Sequence, residues 1–384
     1  MMEKIKLGDI ADIYLGLTHT PKYVEKGVPF LSVKDISNGK IDFSKCHYIT
    51  EEEFNTLPAG AKPQVGDMLF CRVGTIGKPI IIKEGTIKFG SFVSLGFLRI
   101  TKKDYLLDYV RYWMLSNDFL QQVSKNVKGV AQINLNTSWL KKFELPQLEI
   151  KEQKKLIKKL DKIQEIIDLR KRQIKNLDEL IKSQFIEMFD NTEEKIRLGD
   201  CCEVHARIGW QALTKNEHMQ RGEYMLITGT NFKNNEIDYS TCVYVSKERY
   251  EMDKNIILKN DDILITKDGT IGKVAIVHNL NKPATLNGGI FVIRPDFKFN
   301  KEYISYVFKG PLFEEYVDKS KTGATIKHLN QKHLIEFEIP FPPKKLQEKF
   351  ADIYRQIGKQ KFILEKSLRE TEKLQESLMN KYFS

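Results

Sequence analysis

The rhythm of apolar positions changes twice along the chain, and each change marks a new kind of element. Asp67 to Arg72, Pro79 to Lys83, Phe92 to Ile100, Asp262 to Thr266 and Ile290 to Arg294 are short, apolar or β-branched, and bounded by Gly, Pro or Asp. Such runs predict strands. Leu106 to Val123 and Glu302 to Val317 instead place aromatic and aliphatic residues three and four apart, with Tyr109, Trp113 and Phe119 on the inner face. These predict core helices. Each set closes with a proline-bearing strand, Leu145 to Leu148 or Ile339 to Pro343.

Gly and Pro then vanish from Lys151 to Asp190, and apolar positions step alternately by four and three: Leu156, Leu160, Ile163, Ile167, Ile174, Leu177, Ile181, Met188. Only Arg170 and Gln184 interrupt this 3.5-residue series, which predicts one long helix with a coiled-coil seam. Near the end of the chain Phe350, Tyr354, Ile357, Leu364, Leu368, Leu378 and Tyr382 form the equivalent stripe, weakened at Lys361, Thr371 and Gln375. Helices of about 35 residues run about 50 Å, and a stripe that long needs a partner. The expected partner of each is the other, as an antiparallel pair holding two domains apart. Pairing with another protein or a second copy of the chain is the alternative, and it gives the matched lengths no reason.

The chain is written twice. Leu7-Gly8-Asp9 returns as Leu198-Gly199-Asp200, Ile41-Asp42-Phe43-Ser44 as Ile237-Asp238-Tyr239-Ser240, and Gly74-Thr75-Ile76-Gly77-Lys78 unchanged as Gly269-Thr270-Ile271-Gly272-Lys273. Leu135-Asn136 and Phe143-Glu144-Leu145-Pro146 recur as Leu329-Asn330 and Phe337-Glu338-Ile339-Pro340. The offset is 191 at Leu7, 196 at Ile41 and 195 at Gly74, then stays at 194 from Tyr109 and Tyr303 onward. Loops vary at small entropic cost, so an unvarying length points to paired rigid elements. The expected fold class is α+β: two similar α/β domains, residues 1–150 and 191–342, separated by two long antiparallel coiled-coil helices, residues 151–190 and 343–384, in a pseudo-two-fold internal repeat.

Composition narrows the function. The 384 residues carry 41% hydrophobic side chains and 62 Lys and Arg against 51 Asp and Glu, a formal charge of +11. A basic balance favours a polyanionic partner, although a solvated lysine-rich surface reads the same way. No apolar run of eighteen residues exists and Met1 to Ile10 alternates charge with hydrophobics, so a soluble, cytoplasmic protein is expected. The five cysteines, Cys46, Cys71, Cys201, Cys202 and Cys242, include no Cys-x-x-Cys pair, and the seven histidines lack metal spacing; no metal site is expected.

Candidate chemistry is sparse. Gly-Thr-Ile-Gly-Lys is not a Walker loop, which needs four residues between its glycines. It reads as a scaffold turn, with a backbone-amide or lysine contact to DNA phosphate as the alternative. Asp262 and Lys267 faintly suggest a nuclease, but Asp67 and Arg72 hold those places in the first copy, which favours a turn carboxylate. Pro342-Pro343 lies between Phe341 and Lys344, the wrong context for an amino-methyltransferase motif. With no catalytic constellation, a binding module is expected rather than an enzyme; a nucleic-acid enzyme with unrecognised residues and a coiled-coil scaffold that never touches DNA are the rivals.

The ordered set, Leu-Gly-Asp opening, Gly-Asp-x-Leu strand, Gly-Thr-Ile-Gly-Lys turn, Leu-Asn loop, proline-bearing strand, Gln and long helix, occurring twice, resembles the specificity subunits of Type I restriction-modification systems. The resemblance covers essentially the whole chain; Leu346-Gln347 stands where the first copy has Glu152-Gln153. It implies two target-recognition domains, each reading half of a split site in double-stranded DNA, with the helices as spacer and as dock for two methyltransferase (modification) subunits. It also implies no cofactor on this chain; S-adenosylmethionine, ATP and Mg would sit on the methyltransferases and on separate restriction and translocase subunits. Residues identical in both copies should build the scaffold, and exposed polar positions that differ should read DNA. The candidates are Thr18, Lys22, Tyr23, Lys34, Arg72, Lys128 and Gln132 in the first domain, and Arg207, Trp210, Gln211, Lys215, Lys233, Lys267 and Lys327 in the second.

Overall fold

Unbroken helices of 40 residues each, Ile150–Phe189 and Lys344–Phe383, follow the two globular segments. The computed structural model describes residues 3–37, 39–74, 76–126, 134–211, 213–233, 236–321 and 329–384. It forms two units, Met1–Arg172 with Glu365–Ser384, and Gln173–Leu364. Each unit takes one globular repeat together with a part of both long helices.

In the first unit a four-stranded antiparallel sheet has the order Ala11–Leu15, Leu95–Ile100, Met68–Cys71, Gly77–Ile81. A three-stranded sheet has the order His47–Ile49, Val28–Leu31, Gly90–Ser91, and Lys4–Lys6 pairs with Glu144–Pro146. The second unit repeats this topology: Cys202–Ala206, Ile290–Pro295, Ile263–Thr266, Val274–Ile276 in one sheet, Val243–Val245, Tyr224–Ile227, Ala284–Leu286 in the other, and Lys195–Arg197 paired with Glu338–Pro340. The expected strands are all present, trimmed or extended by a few residues at their ends.

One expectation is corrected. Leu106 to Val123 is two helices, Leu107–Met114 and Asn117–Asn126, and its counterpart is Lys301–Lys309 followed by Pro311–Lys321. The Ser116 hydroxyl donates to the Trp113 carbonyl (2.6 Å) and accepts the Phe119 N–H (3.4 Å), closing one helix and opening the next. In the second repeat Pro311 starts a new helix because it cannot supply the N–H that continuation requires. Tyr109, Trp113 and Phe119 are fully buried, as the pattern demands.

The long helices pack antiparallel within each unit. In the first, Leu156 and Leu160 share a core with Met379 and Phe383; in the second, Ile181, Phe185 and Phe189 share one with Phe350 and Ile357. Ile167 is buried, and Ile163, Ile174, Leu177, Leu364, Leu368 and Leu378 are half-buried. The residues that break the apolar series find one another: Arg170 donates to the Ser367 carbonyl (2.9 Å) and to the Thr371 hydroxyl. Gln375 donates to Gln164 (3.0 Å), and Lys361 pairs with Asp178 (2.5 Å).

Each helix also ends inside a globular core. The Phe383 ring lies 5.3 Å from Tyr109, and the Phe189 ring 4.9 Å from Tyr303. At the helix starts a buried glutamine ties helix to domain. Gln153 accepts the Leu106 N–H (2.9 Å) and donates to the carbonyls of Asp104 and Leu148 (both 2.8 Å). Gln347 accepts the Asn300 N–H (2.9 Å) and donates to Pro342 (2.9 Å) and Lys298 (3.3 Å). Both side chains have no exposed surface. Gln153→Leu leaves three backbone groups without their partner and should cost about 2–4 kcal/mol, read as a lower urea midpoint; Gln347→Leu should behave alike.

Where the first repeat has Leu115, the second has Lys309, half-buried and donating to the Tyr354 hydroxyl (2.7 Å). Burial, and then the nearby Lys361, bring its ammonium from the ordinary 10.5 down to about 8. The folded chain thus binds fewer protons than the unfolded one between those two pH values, and stability rises with pH across that window. Lys309→Met should therefore gain on the order of 2–3 kcal/mol at pH 7, a gain that fades as urea melts are taken up to pH 10.5.

Candidate nucleic-acid interface

Both repeats carry the same tight turn after the strand that leads their three-stranded sheet. In the first, Ser32 caps the short helix Val33–Asp35, with its hydroxyl 3.0 Å and its N–H 2.6 Å from Asp35 Oδ2. In the second, Thr228 caps Gly229–Asn231, with its hydroxyl 2.9 Å and its N–H 2.7 Å from Asn231 Oδ1. The reciprocal box fixes the backbone and leaves the middle residue free to differ. That residue is Lys34 in one copy and Thr230 in the other, both exposed.

In the first repeat Thr18 and Lys22 are also exposed, and the Lys22 N–H donates to Glu53 (3.1 Å). Tyr23 is 39% exposed and stacks on His47 with centroids 4.2 Å apart. Burial of the ring, then the nearby Asp35 charge, push its hydroxyl above the usual tyrosine range. Lys22 and Tyr23 precede the strand Val28–Leu31 and Lys34 follows it, and the Tyr23 ring packs on the neighbouring strand through His47.

Other candidates are scaffold. Arg72 is buried, with Nε donating to the Leu135 carbonyl (2.9 Å) and Nη1 to the Val93 carbonyl (2.7 Å). Burial lowers its pKa from the usual arginine value. Its guanidinium holds a loop and is not presented to a phosphate. Arg207 is likewise buried, with Nε on the Leu286 carbonyl (2.8 Å) and Nη2 on Thr285 (3.2 Å). Gln211 is buried too, and its backbone carbonyl accepts from Arg249 (3.2 Å). These three expectations are corrected for one reason: each polar group is engaged by, or enclosed within, its own repeat.

Lys233 is exposed and pairs with Asp238 (2.5 Å). Lys267, at the place of Arg72, is half-buried with Nζ 5.0 Å above the Phe291 ring. The backbone of Trp210 and Lys215 lies in short helices, Gly209–Gln211 and Lys215–Glu217. Lys128, Gln132 and Lys327 lie outside the described residues. Two cations went unnoticed in the sequence: Lys62 and Lys88 flank the Phe54 ring at 5.6 and 5.4 Å. Their spacing of 26 residues gave no local signal of it.

In the second repeat Gly-Thr-Ile-Gly-Lys is a turn between the antiparallel strands Ile263–Thr266 and Val274–Ile276; in the first repeat Thr75 lies outside the described residues. Gly74 and Gly269 both have φ of +69°, and Gly77 and Gly272 have +85° and +86°, a region that favours glycine. The nearby carboxylates are structural. Asp67 takes two bonds from Arg99 (2.7 and 2.8 Å) and Asp262 two from Arg294 (2.8 and 2.9 Å), and both carboxylates are buried. Among the described residues no group of three His, Cys, Asp or Glu converges as metal ligands, and no helix is long and apolar enough to cross a membrane.

Such a fold defines a class of internally duplicated proteins, in which two copies of one mixed α/β domain each lead into a long helix. The family model of the type I restriction modification DNA specificity domain matches residues 1–179 and again 191–375, and the chain belongs to that family. It is the specificity subunit of such a system, which recognises DNA sequence and is a non-catalytic component. It is similar to the MjaX specificity subunit of Methanocaldococcus jannaschii, 25% identical over 410 residues that cover 98% of this chain and 91% of that protein. The type I restriction enzyme MjaIX specificity subunit of the same organism is 21% identical over 406 residues, with coverage of 98% and 91%. In fold it matches the type I restriction-modification S subunit from M. genitalium, with a TM-score of 0.62, 15% identity and coverage of 100% of this chain and 96% of that one.

The burial pattern separates two effects of mutation. Arg72→Ala should destabilise by about 2–3 kcal/mol, since it strips two carbonyls of their donor. Lys34→Ala should move stability by no more than about 0.5 kcal/mol yet weaken DNA binding. Paired urea melts and DNA titrations check this, and an Arg72→Ala chain of native stability with reduced DNA affinity would reverse the assignment.

Proposed function

We propose that each globular repeat reads one half of a bipartite site in double-stranded DNA, and that the long helices set the gap between halves and dock two methyltransferase subunits. One observation carries this reading. The same capped turn recurs in both repeats and presents Lys34 in one and Thr230 in the other. A constant frame with a variable exposed residue is what two readers of unlike half-sites require. Affinity then comes largely from Lys and Arg on phosphates, and sequence discrimination from side chains at base edges.

Docking is supported by large apolar side chains left uncovered on the helices. Leu169 (49% exposed) and Leu374 (57%) lie in the first unit, Leu180 (46%) and Ile363 (64%) in the second. Leu169 and Ile363 are repeat-equivalent, as are Leu180 and Leu374, so each unit offers a comparable pair. Exposed apolar surface of this kind fits protein rather than DNA. The fold is also similar, with a TM-score of 0.59, 15% identity and coverage of 99% of this chain and 97% of that one, to a chain solved in work on complex assembly and conformational transition of the type I R-M system. On this reading the methyltransferases bring S-adenosylmethionine, separate restriction and translocase subunits bring ATP and Mg, and the assembly acts in the cytoplasm.

The spacer role gives a metric test. Removing one heptad from the middle of each long helix shortens each by about 10 Å, roughly three base pairs of duplex. Genome-wide methylation mapping should show both half-sites kept and the gap reduced by about that amount. Unchanged spacing would sink the spacer role.

A further inference from the structure

The loop that follows Gly90–Ser91 in the first repeat and Ala284–Leu286 in the second is closed in one copy and open in the other. It reads Phe92-Val93-Ser94 in the first and Asn287-Gly288-Gly289 in the second. The frame around it is common to both. The Phe92 N–H donates to the Leu31 carbonyl (2.8 Å) and the Arg72 N–H to that of Ser94 (3.0 Å). In the second repeat the Asn287 N–H donates to Ile227 (2.9 Å) and the Lys267 N–H to Gly289 (2.9 Å).

The closing contacts differ. In the first repeat the Val93 N–H donates to Leu17 (2.8 Å), the Leu17 N–H to Ser91 (2.8 Å), and the Val93 carbonyl accepts from Arg72 (2.7 Å), with Leu17 buried. In the second the Gly288 N–H turns back to Asn287 Oδ1 (2.7 Å), and the Leu286 carbonyl, equivalent to that of Ser91, accepts from the Arg207 side chain (2.8 Å). Ile208, at the place of Leu17, is 54% exposed. A Cβ on Gly288 would meet nothing within 4 Å, so open space lies where the first repeat carries the Val93 side chain. Neither Gly288 nor Gly289 has a positive φ, so backbone conformation does not call for glycine at either position.

The rim of the opening is polar and of mixed sign. Lys267 is half-buried and in no ion pair among the described residues. Asn287 is half-buried, and its amide nitrogen donates to nothing among the described residues. Thr230 is exposed on the capped turn that follows Ile227, and the Asp268 carboxylate lies 3.5 Å from where a Gly289 Cβ would stand.

We infer that this opening is where the second repeat meets base edges, with Asn287 as a specificity-determining residue and Gly288 left bare so that a base pair can come close. This rests on the proposed reading of one half-site by each repeat. The mixed rim selects base edges over the phosphate backbone. A phosphate offers acceptors alone and would meet Asp268 as a like charge, whereas base edges set acceptors beside amino donors. The Asn287 amide and the Lys267 ammonium suit the acceptors, and Asp268 suits the amino groups. Glycine at 288 fits the same account, because a missing side chain lets another molecule approach the backbone.

The test titrates labelled duplexes with the full-length chain assembled with the methyltransferase subunits of its system. One duplex bears the intact site found by methylation mapping, and two others each have one half scrambled. Wild type should prefer the intact duplex to both. Gly288→Val refills the space as in the first repeat. It should lower affinity for the intact site roughly tenfold and make one half indifferent to scrambling, with the penalty at the other half unchanged. Asn287→Asp keeps the oxygen that holds the Gly288 N–H and removes the amide donor, so it should change the preferred base at one position of that same half. Both variants should melt in urea at the wild-type midpoint. Wild-type discrimination at both halves in both variants would overturn the inference. So would an equal loss on intact and scrambled duplexes with a shallower salt slope, the mark of a phosphate contact. A wild type that does not distinguish intact from scrambled halves would instead overturn the half-site reading beneath it.

Discussion

A helix of 40 residues with an apolar stripe along it has to be covered over its whole length, and that requirement organises this protein. An isolated helix gains little from propensity alone. Each long helix therefore satisfies its stripe in two ways, against the other helix and, at its last turn, within a globular core. Phe383 beside Tyr109 and Phe189 beside Tyr303 are the points where the second way operates. Neither ring has more than a trace of exposure, so neither core is complete without the helix that enters it. The globular repeats and the helices are parts of the same two folding units, whatever boundary the linear sequence suggests.

A continuous apolar seam would permit slippage by a heptad, and the polar interruptions oppose it. In the observed register Arg170 meets the Ser367 carbonyl and the Thr371 hydroxyl. A shift of seven residues either way would set the guanidinium against Leu364 or Leu378 and leave it half-buried without an acceptor. That is a costly arrangement for a charge. Gln164 with Gln375 and Asp178 with Lys361 add to the same preference. These contacts cost some stability relative to leucine and give a single alignment in return, as a lone polar layer does in coiled coils.

Much of this was legible in the sequence because the repeat and the periods are physical consequences of shared scaffolding. Gly74 and Gly77 recur because the turn needs positive φ, and Tyr109 and Tyr303 recur because each hydroxyl reaches a proline carbonyl, Pro146 (2.7 Å) or Pro340 (2.9 Å). The long seam was legible since every residue placed on it is at least half-buried. The interface was less so. Nothing near Arg72 in the chain announces that its acceptor is the carbonyl of Leu135, 63 residues away. Charge and difference between copies nominated Arg72 and Arg207 as readers, while tertiary hydrogen bonds made them braces. The helix break at Ser116 was hidden for a related reason: a serine hydroxyl serves solvent, helix or cap equally well, and packing decides which.

Where the copies agree and where they diverge then follows one rule. Agreement persists at buried polar clasps such as Gln153 and Gln347, or the Asp67–Arg99 and Asp262–Arg294 pairs, because removing either partner strands buried donors or acceptors at a cost near that of several exposed substitutions. Divergence collects where water can satisfy whatever side chain appears, as at Lys34 and Thr230. Duplication supplied two equal frames, and the hydrogen-bond requirement of the interior kept them equal. The exposed positions carry no such requirement, so they are the places where two copies of one fold can come to recognise different things.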